Sequence, residues 1–120
     1  MRNIEEMLKG SKTIAVVGLS PNPERDSYRV AKYLQEQGYR IIPVNPGVEE
    51  VLGEKCYPSL TAIPERVDMV DVFRRTEFVP LLVEEAIQIG AKVVWMQDDI
   101  VHEEAAQKAR EAGLDVVMDR

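Results

Sequence analysis

Three kinds of residue in this chain are suited to an anionic ligand, and they lie far apart in the sequence. In the stretch Val16-Val17-Gly18-Leu19-Ser20-Pro21-Asn22-Pro23-Glu24-Arg25-Asp26-Ser27-Tyr28-Arg29-Val30, an apolar run stops at a glycine, crosses a Ser/Pro/Asn-rich loop and resumes in a helical pattern. Gly18 lets a backbone come close to a phosphate, and the start of the following helix offers unpaired amides and a partial positive charge. Arg74-Arg75 supplies two guanidinium groups that fork onto phosphate oxygens, while Asn45 and Gln97 supply amides for a base or sugar. A nucleophile with a base beside it is missing. Ser20 and Ser27 are hydroxyls, His102 is the sole histidine, and no spacing brings it to either serine. Cys56 is the only cysteine, which excludes an intrachain disulfide and the metal-ligand spacings that need several Cys or His. Asp98-Asp99 has the chemistry for magnesium near phosphates, but a turn with an aspartate capping the next helix is the simpler reading.

These residues act together only if a fold gathers them. Ile4, Met7 and Leu8 before Gly10 form a short leading helix. Apolar strands are expected at 13–17, 39–45, 69–73, 92–97 and 114–118, with helices at about 26–37, after Thr76 as N-cap, and at 103–112. Pro43 costs its strand a donor, so it must lie where the ladder can spare one. Residues 48–52 suggest a single helical turn, and Ser59 a cap on a short helix. The face made by Phe78, Leu81, Leu82, Ala86 and Ile89 should be buried, with Trp95 in the core. Strands alternating with helices predict an α/β fold, an open parallel sheet with helices on both faces and a strand order of 3-2-1-4-5. In such a sheet the residues just after each strand share one rim, so 18–21, 45–47, 73–75 and 97–99 become neighbours.

The length of 120 residues suits one domain, 1–120. The chain is 45% hydrophobic and 30% charged, an ordinary soluble composition. It has no apolar run long enough to span a membrane and no secretory leader pattern, so a cytoplasmic location is expected. A net charge of −6 argues against nucleic acid as a partner, since a basic stripe supplies most of that affinity. An anion must therefore be held by local groups.

A dinucleotide fingerprint starting at Gly18 fails, because Ser20 and Pro23 stand where glycines are needed. The acid expected at the end of the second strand is absent too, its place taken by Asn45. Redox use of a nicotinamide is disfavoured, and an NAD(P)-sensing domain survives only as a weak alternative. In order along the chain, Gly18-Leu19-Ser20-Pro21-Asn22-Pro23, Ser27-Tyr28, Pro43-Val44-Asn45-Pro46, Tyr57-Pro58-Ser59-Leu60, Val72-Phe73-Arg74-Arg75, Trp95-Met96-Gln97, Glu103-Glu104-Ala105 and residues 113–120 resemble the small stand-alone CoA-binding proteins. Those are similar in fold to the Rossmann-like CoA-binding domain of the succinyl-CoA synthetase alpha subunit.

The resemblance implies a ligand, coenzyme A or an acyl-CoA, held along the rim, and the missing nucleophile, base and metal set leads to the expectation of no catalysis by this chain. It places Gly18, Leu19, Ser20, Pro21, Arg25 and Ser27 at the phosphates, Pro43, Val44, Asn45 and Pro46 beside the nucleotide, Phe73 and Arg74 on the other wall, and Gln97 on the far side. One of Arg74 and Arg75 should bind phosphate while the other pairs with surface carboxylates. The phosphorylated histidine of the synthetases belongs to a later domain, so His102 is read as a helix-start residue. Cys56 is read as an inert small side chain, its thiol made slightly more acidic by Lys55 if exposed. The chain departs from relatives at Asp98-Asp99, where many have Leu-Gly, at His102, where many have Asn, and in looking short at its C-terminus. A homodimer, or a partner chain completing a multi-chain acyl-CoA synthetase, remains an open alternative.

Overall fold

The computed structural model describes residues 4–97 and 99–118. Its elements run α1 (Ile4–Lys9), β1 (Thr13–Val17), α2 (Asp26–Glu36), β2 (Arg40–Val44), β3 (Glu50–Val51), β4 (Glu54–Lys55), a 3₁₀ turn at Leu60–Ala62, β5 (Met69–Val72), a second 3₁₀ turn at Thr76–Phe78, α3 (Val79–Gln88), β6 (Val93–Met96), α4 (Glu103–Glu111) and β7 (Asp115–Val117). Five strands form one sheet, and every pairing in it is parallel. The expected α/β architecture is therefore present, with each strand and helix within one or two residues of its predicted bounds.

The strand order needs correction. It is β2-β1-β5-β6-β7, or 2-1-3-4-5 in the count of sheet strands, where 3-2-1-4-5 was expected. Pro43 supplies the physical reason. Arg40 donates its amide to Lys12 O and Val44 O accepts from Gly18, so the even residues of β2 face β1. Pro43 O and the Asn45 amide both bond Tyr57, so the odd residues face the outer edge. A third strand there would meet a residue with no N–H, and β5 pairs with β1 instead.

Two local expectations also change. Residues 50–55 form a two-stranded antiparallel hairpin rather than a helical turn, with Leu52 (φ 55°) and Gly53 (φ 78°) in the left-handed conformation that a tight hairpin demands. Thr76 opens a 3₁₀ turn, and the N-cap of α3 is Phe78, which makes no side-chain cap. Pro80 is tolerated in the first turn of α3, where amides lack helical partners. Leu81 is 58% exposed, and the buried face of α3 is Val79, Leu82, Val83 and Ala86. Ser59 precedes the short 3₁₀ turn without capping it, its hydroxyl meeting that of Thr61.

Two apolar layers flank the sheet. One joins Ala15, Val17, Ile42, Val44, Val70, Val72, Val94 and Met96 to α3 and α4. The other joins Ile14, Val16, Ile41, Met69 and Val93 to Met7 of α1 and to Ala31 and Leu34 of α2, with Trp95 only partly buried against it. Alternation along parallel strands buried on both faces produces this division.

Asp68 fastens the lower end of the sheet. Its Oδ2 accepts from the Lys12 and Thr13 amides at 2.9 and 3.1 Å, its own amide donates to Thr13 O, and its carbonyl accepts from Lys92. Burial raises the Asp68 pKa, but those two amides, Arg66 and Lys92 together hold it below the usual carboxylate range. Asp68→Ala is expected to cost about 1–3 kcal/mol, because it strands donors at the start of β1. A urea titration of both proteins checks this, and an unchanged midpoint would mean that water replaces the carboxylate.

Candidate functional site

The upper rim is stitched by backbone bonds. Gly18 donates to Val44 O and Phe73 to Val17 O, each at 2.9 Å, and Gln97 donates to Val72 O at 3.4 Å. The loops after β1, β2, β5 and β6 thus leave the sheet side by side. Gly18 has φ 85°, and a Cβ there would lie 2.5 Å from Phe73 O and 3.0 Å from Arg74 Cδ. Glycine is needed both for the conformation and for the close approach of the two loops.

Asn45 ties two of these loops together. Its Nδ2 donates to Leu19 O at 3.1 Å, and its Oδ1 accepts from the Gly47 amide at 3.0 Å. An acid at this position has no donor for Leu19 O, which gives a structural reason for Asn45 where NAD-binding folds carry a carboxylate.

The loop before α2 is held by its own hydroxyls. Ser20 N donates to Ser27 Oγ, Asn22 N to Ser20 Oγ and Glu24 N to Asn22 Oδ1, each at 3.0 Å. In both serines the oxygen accepts, leaving the hydroxyl proton to donate. Arg25 occupies the N-cap of α2 in extended conformation, and no side chain caps the helix. Its first-turn amides retain the partial positive charge that anions favour.

Of the clefts that open on the rim, Arg74 lines two. The first, of about 240 Å³, is largely apolar, with Val17 and Val44 at the strand ends, Pro46 and Pro58 on the loops, and Phe78 and Leu82 from the α3 side. The second, of about 340 Å³, is lined by Asp26, Val30, Phe73, Arg74, Arg75, Gln97 and Ile100. The Arg74 guanidinium carbon lies 4.2 Å from the Phe78 ring centroid, a stacking that holds the flat group while leaving its edge for forked hydrogen bonds. Arg75, at the mouth of the second cleft, is largely exposed and pairs with Glu77 at 3.7 Å.

The sequence-predicted residues therefore divide. Val44, Pro46, Phe73, Arg74 and Gln97 line the clefts. Gly18, Ser20, Ser27 and Asn45 build the loops between them. Leu19 is fully buried and faces the rim only through its carbonyl, and Pro43 is buried beside Ile42 and lines neither cleft. Pro21 and Arg25 are exposed on the loop.

Other expectations shift. Cys56 is buried, and burial followed by the Glu50 charge raises its thiol pKa, opposite to the Lys55 effect; Lys55 instead lies over the Tyr57 ring. His102 is the N-cap of α4, its Nδ1 accepting from the Ala105 amide at 3.2 Å, so the cap is the histidine and not an aspartate. Asp99 is exposed with φ 66°, and Asp98 lies outside the described residues. Among the described residues no group of three His, Cys, Asp or Glu is arranged for a metal, and no helix is long and apolar enough to cross a membrane.

Sequence reasoning missed Asp71. It is buried at the third position of β5 and accepts a short hydrogen bond from Gln97 Nε2. Burial pushes its pKa up to about 7, against the lowering effect of the Gln97 bond. The available signal was its place in an apolar run: a central strand covered on both faces has no exposed side for a carboxylate.

A family model described as a CoA-binding domain matches residues 12–120. The chain belongs to the CoA-binding domain family. This CoA-binding domain is 49% identical over 116 residues to the uncharacterized protein YneT of Bacillus subtilis, covering 97% of this chain and 86% of that protein. It superposes on a solved hypothetical protein from Pyrococcus horikoshii with a TM-score of 0.94 at 48% identity, covering all of this chain and 90% of the other. It is also 41% identical over 95 residues to the alpha subunit of ADP-forming acetate–CoA ligase I of Pyrococcus furiosus, covering 74% of this chain and 21% of the subunit. The CoA-binding domain thus matches small proteins over most of their length and the ligase subunit over about a fifth.

Proposed function

We propose that residues 1–120 act as one unit that binds coenzyme A or an acyl-CoA at the rim and does no chemistry of its own. The observation that carries this is the meeting of the Gly18 loop and the uncapped start of α2 with the stacked Arg74 guanidinium between two clefts. CoA carries roughly three to four negative charges, which suits amide dipoles and a forked cation. Family membership supports the same ligand. The absence of catalysis is supported by the serines, whose oxygens accept from backbone amides, and by His102, which is engaged as a cap.

Calorimetric titration with CoA, dephospho-CoA, NAD and ATP tests the reading. CoA should bind most tightly; heat with NAD and none with CoA would replace it with a nicotinamide-sensing role. Arg74→Ala is expected to weaken CoA about 10- to 100-fold, the loss of one or two charge-assisted hydrogen bonds. Arg75→Ala should change it less than about threefold, since an exposed ion pair contributes little.

A second reading is favoured by the likeness to the ligase alpha subunit. In that reading the chain is the nucleotide-binding part of a multi-chain acyl-CoA synthetase, and a partner enzyme supplies the catalytic groups. Gel filtration from cell extract, with acyl-CoA formation assayed on the fraction containing this chain, separates the two.

A further inference from the structure

Asp71 is the one carboxylate in the buried interior of the described residues, and its only side-chain hydrogen-bonding partner in that interior lines a ligand cleft. It lies in register with Val16 of β1 and Trp95 of β6. Gln97 follows β6 directly and donates Nε2 to Asp71 Oδ1. A carboxylate only accepts, so the amide must present its nitrogen to Asp71, and the planarity of the amide turns Oε1 the other way. The side chain that reaches the cleft therefore offers an acceptor.

We propose that Asp71 is a positioning residue that holds Gln97 with its amide oxygen toward the cleft, making that side of the site selective for an N–H or O–H donor of the ligand. The inference rests on the CoA reading, because CoA brings such donors in its adenine amino group and its pantetheine amides. When Asp71 takes up a proton it gains a donor of its own, Gln97 turns over, and the cleft presents an NH₂ group instead.

Among the described residues, no charged group is a cause of the Asp71 shift. Its shift has two causes, burial and the Gln97 bond. The layer against this face is formed by Met7 of α1 and by Ala31 and Leu34 of α2, with Tyr28 and Val30 partly buried against it. Among the described residues the charged ones of the cleft are Asp26, Arg74 and Arg75, and on the same face Asp115 of β7 stands level with Val93. A titration brought by the ligand would be confused with that of Asp71, which dictates the probe.

The test uses dephospho-CoA, which has no phosphomonoester titrating near neutrality. From about pH 8 to pH 5.5 its affinity for the unaltered protein should fall about fivefold, the scale of one hydrogen bond. Asp71→Asn should bind with a slope flat within about twofold over the same range, because its carboxamide holds no titrating proton. Gln97→Met, which keeps the length of the side chain and removes both arms of the amide, should also abolish the slope. In parallel, the Gln97 side-chain amide should titrate by NMR in the ligand-free protein, and not in Asp71→Asn.

Equal slopes in the unaltered protein and Asp71→Asn overturn the proposal, as does a Gln97 amide that does not titrate. No heat with dephospho-CoA at any pH, beside an amide that titrates, overturns the CoA reading while upholding the coupling of Asp71 to Gln97. Failure of the two ideas is thereby distinguishable.

Discussion

Gly18→Ala is expected to destabilise the protein by roughly 3 kcal/mol and to weaken CoA binding in the fraction that folds. A methyl group at this place meets two separate costs. The backbone is held at φ 85°, where a side chain adds about 1–2 kcal/mol of strain. The new Cβ would also stand 2.5 Å from Phe73 O, a backbone atom that cannot swing aside as a side-chain tip can. Relief requires the loops after β1 and β5 to part, which costs about 1–3 kcal/mol more and carries Arg74 with the second loop. Gly53→Ala is the control: that residue is also in the left-handed region, at φ 78°, but with nothing within 4 Å of the place a methyl group would take. The excess loss in Gly18→Ala over Gly53→Ala measures the collision alone. Urea unfolding of the two variants gives the comparison; equal losses would show that the loops absorb the methyl group without moving.

Asp71→Asn should make the protein more stable at pH 8 while leaving it nearly unchanged near pH 4. An aspartate in an unfolded chain loses its proton near pH 4, whereas burial keeps the folded Asp71 protonated up to about 7. Between those values the folded state holds more protons than the unfolded state, so stability declines as pH rises. The penalty is absent below the unfolded pKa and complete above the folded one. Asparagine keeps an acceptor for Gln97 and has no such penalty, so its advantage should grow with pH to about 4 kcal/mol. Urea midpoints of both proteins at several pH values read this difference directly. Parallel curves would mean that Asp71 is ionised at little cost. A carboxylate retained at such expense fits a residue kept for the ligand rather than for the fold.

Much of the architecture was legible because periodicity and punctuation agree. The strands are continuous apolar runs, Gly38, Gly90 and Gly113 follow the ends of α2, α3 and α4, and the rim follows from the strand ends. Strand order was not legible from handedness, which leaves open the side of β1 on which β5 lies. The decisive fact is the direction in which Pro43 lacks a donor, and that depends on which residues of β2 face β1. The 50–55 hairpin was hidden because Leu52, not an Asn or a second Gly, takes the first left-handed position of the turn. The rim loops were identified as a set, but their internal roles were not. Asn45 and Ser27, expected beside the ligand, also hold neighbouring loops in place, a role that sequence does not reveal. Asp71 was passed over because a single acid among valines carries no pattern until both flanking strands are known.

The missing N–H of Pro43 also bears on self-association. A sheet border grows by matching donors to acceptors on an incoming chain, and fibril formation exploits any border that offers an unbroken series. Along β2 the series is interrupted at Pro43, and Tyr57 already takes up Pro43 O and the Asn45 amide that follow. An outside strand would find no continuous template there, so the same imino acid that decides the topology protects this flank from polymerisation.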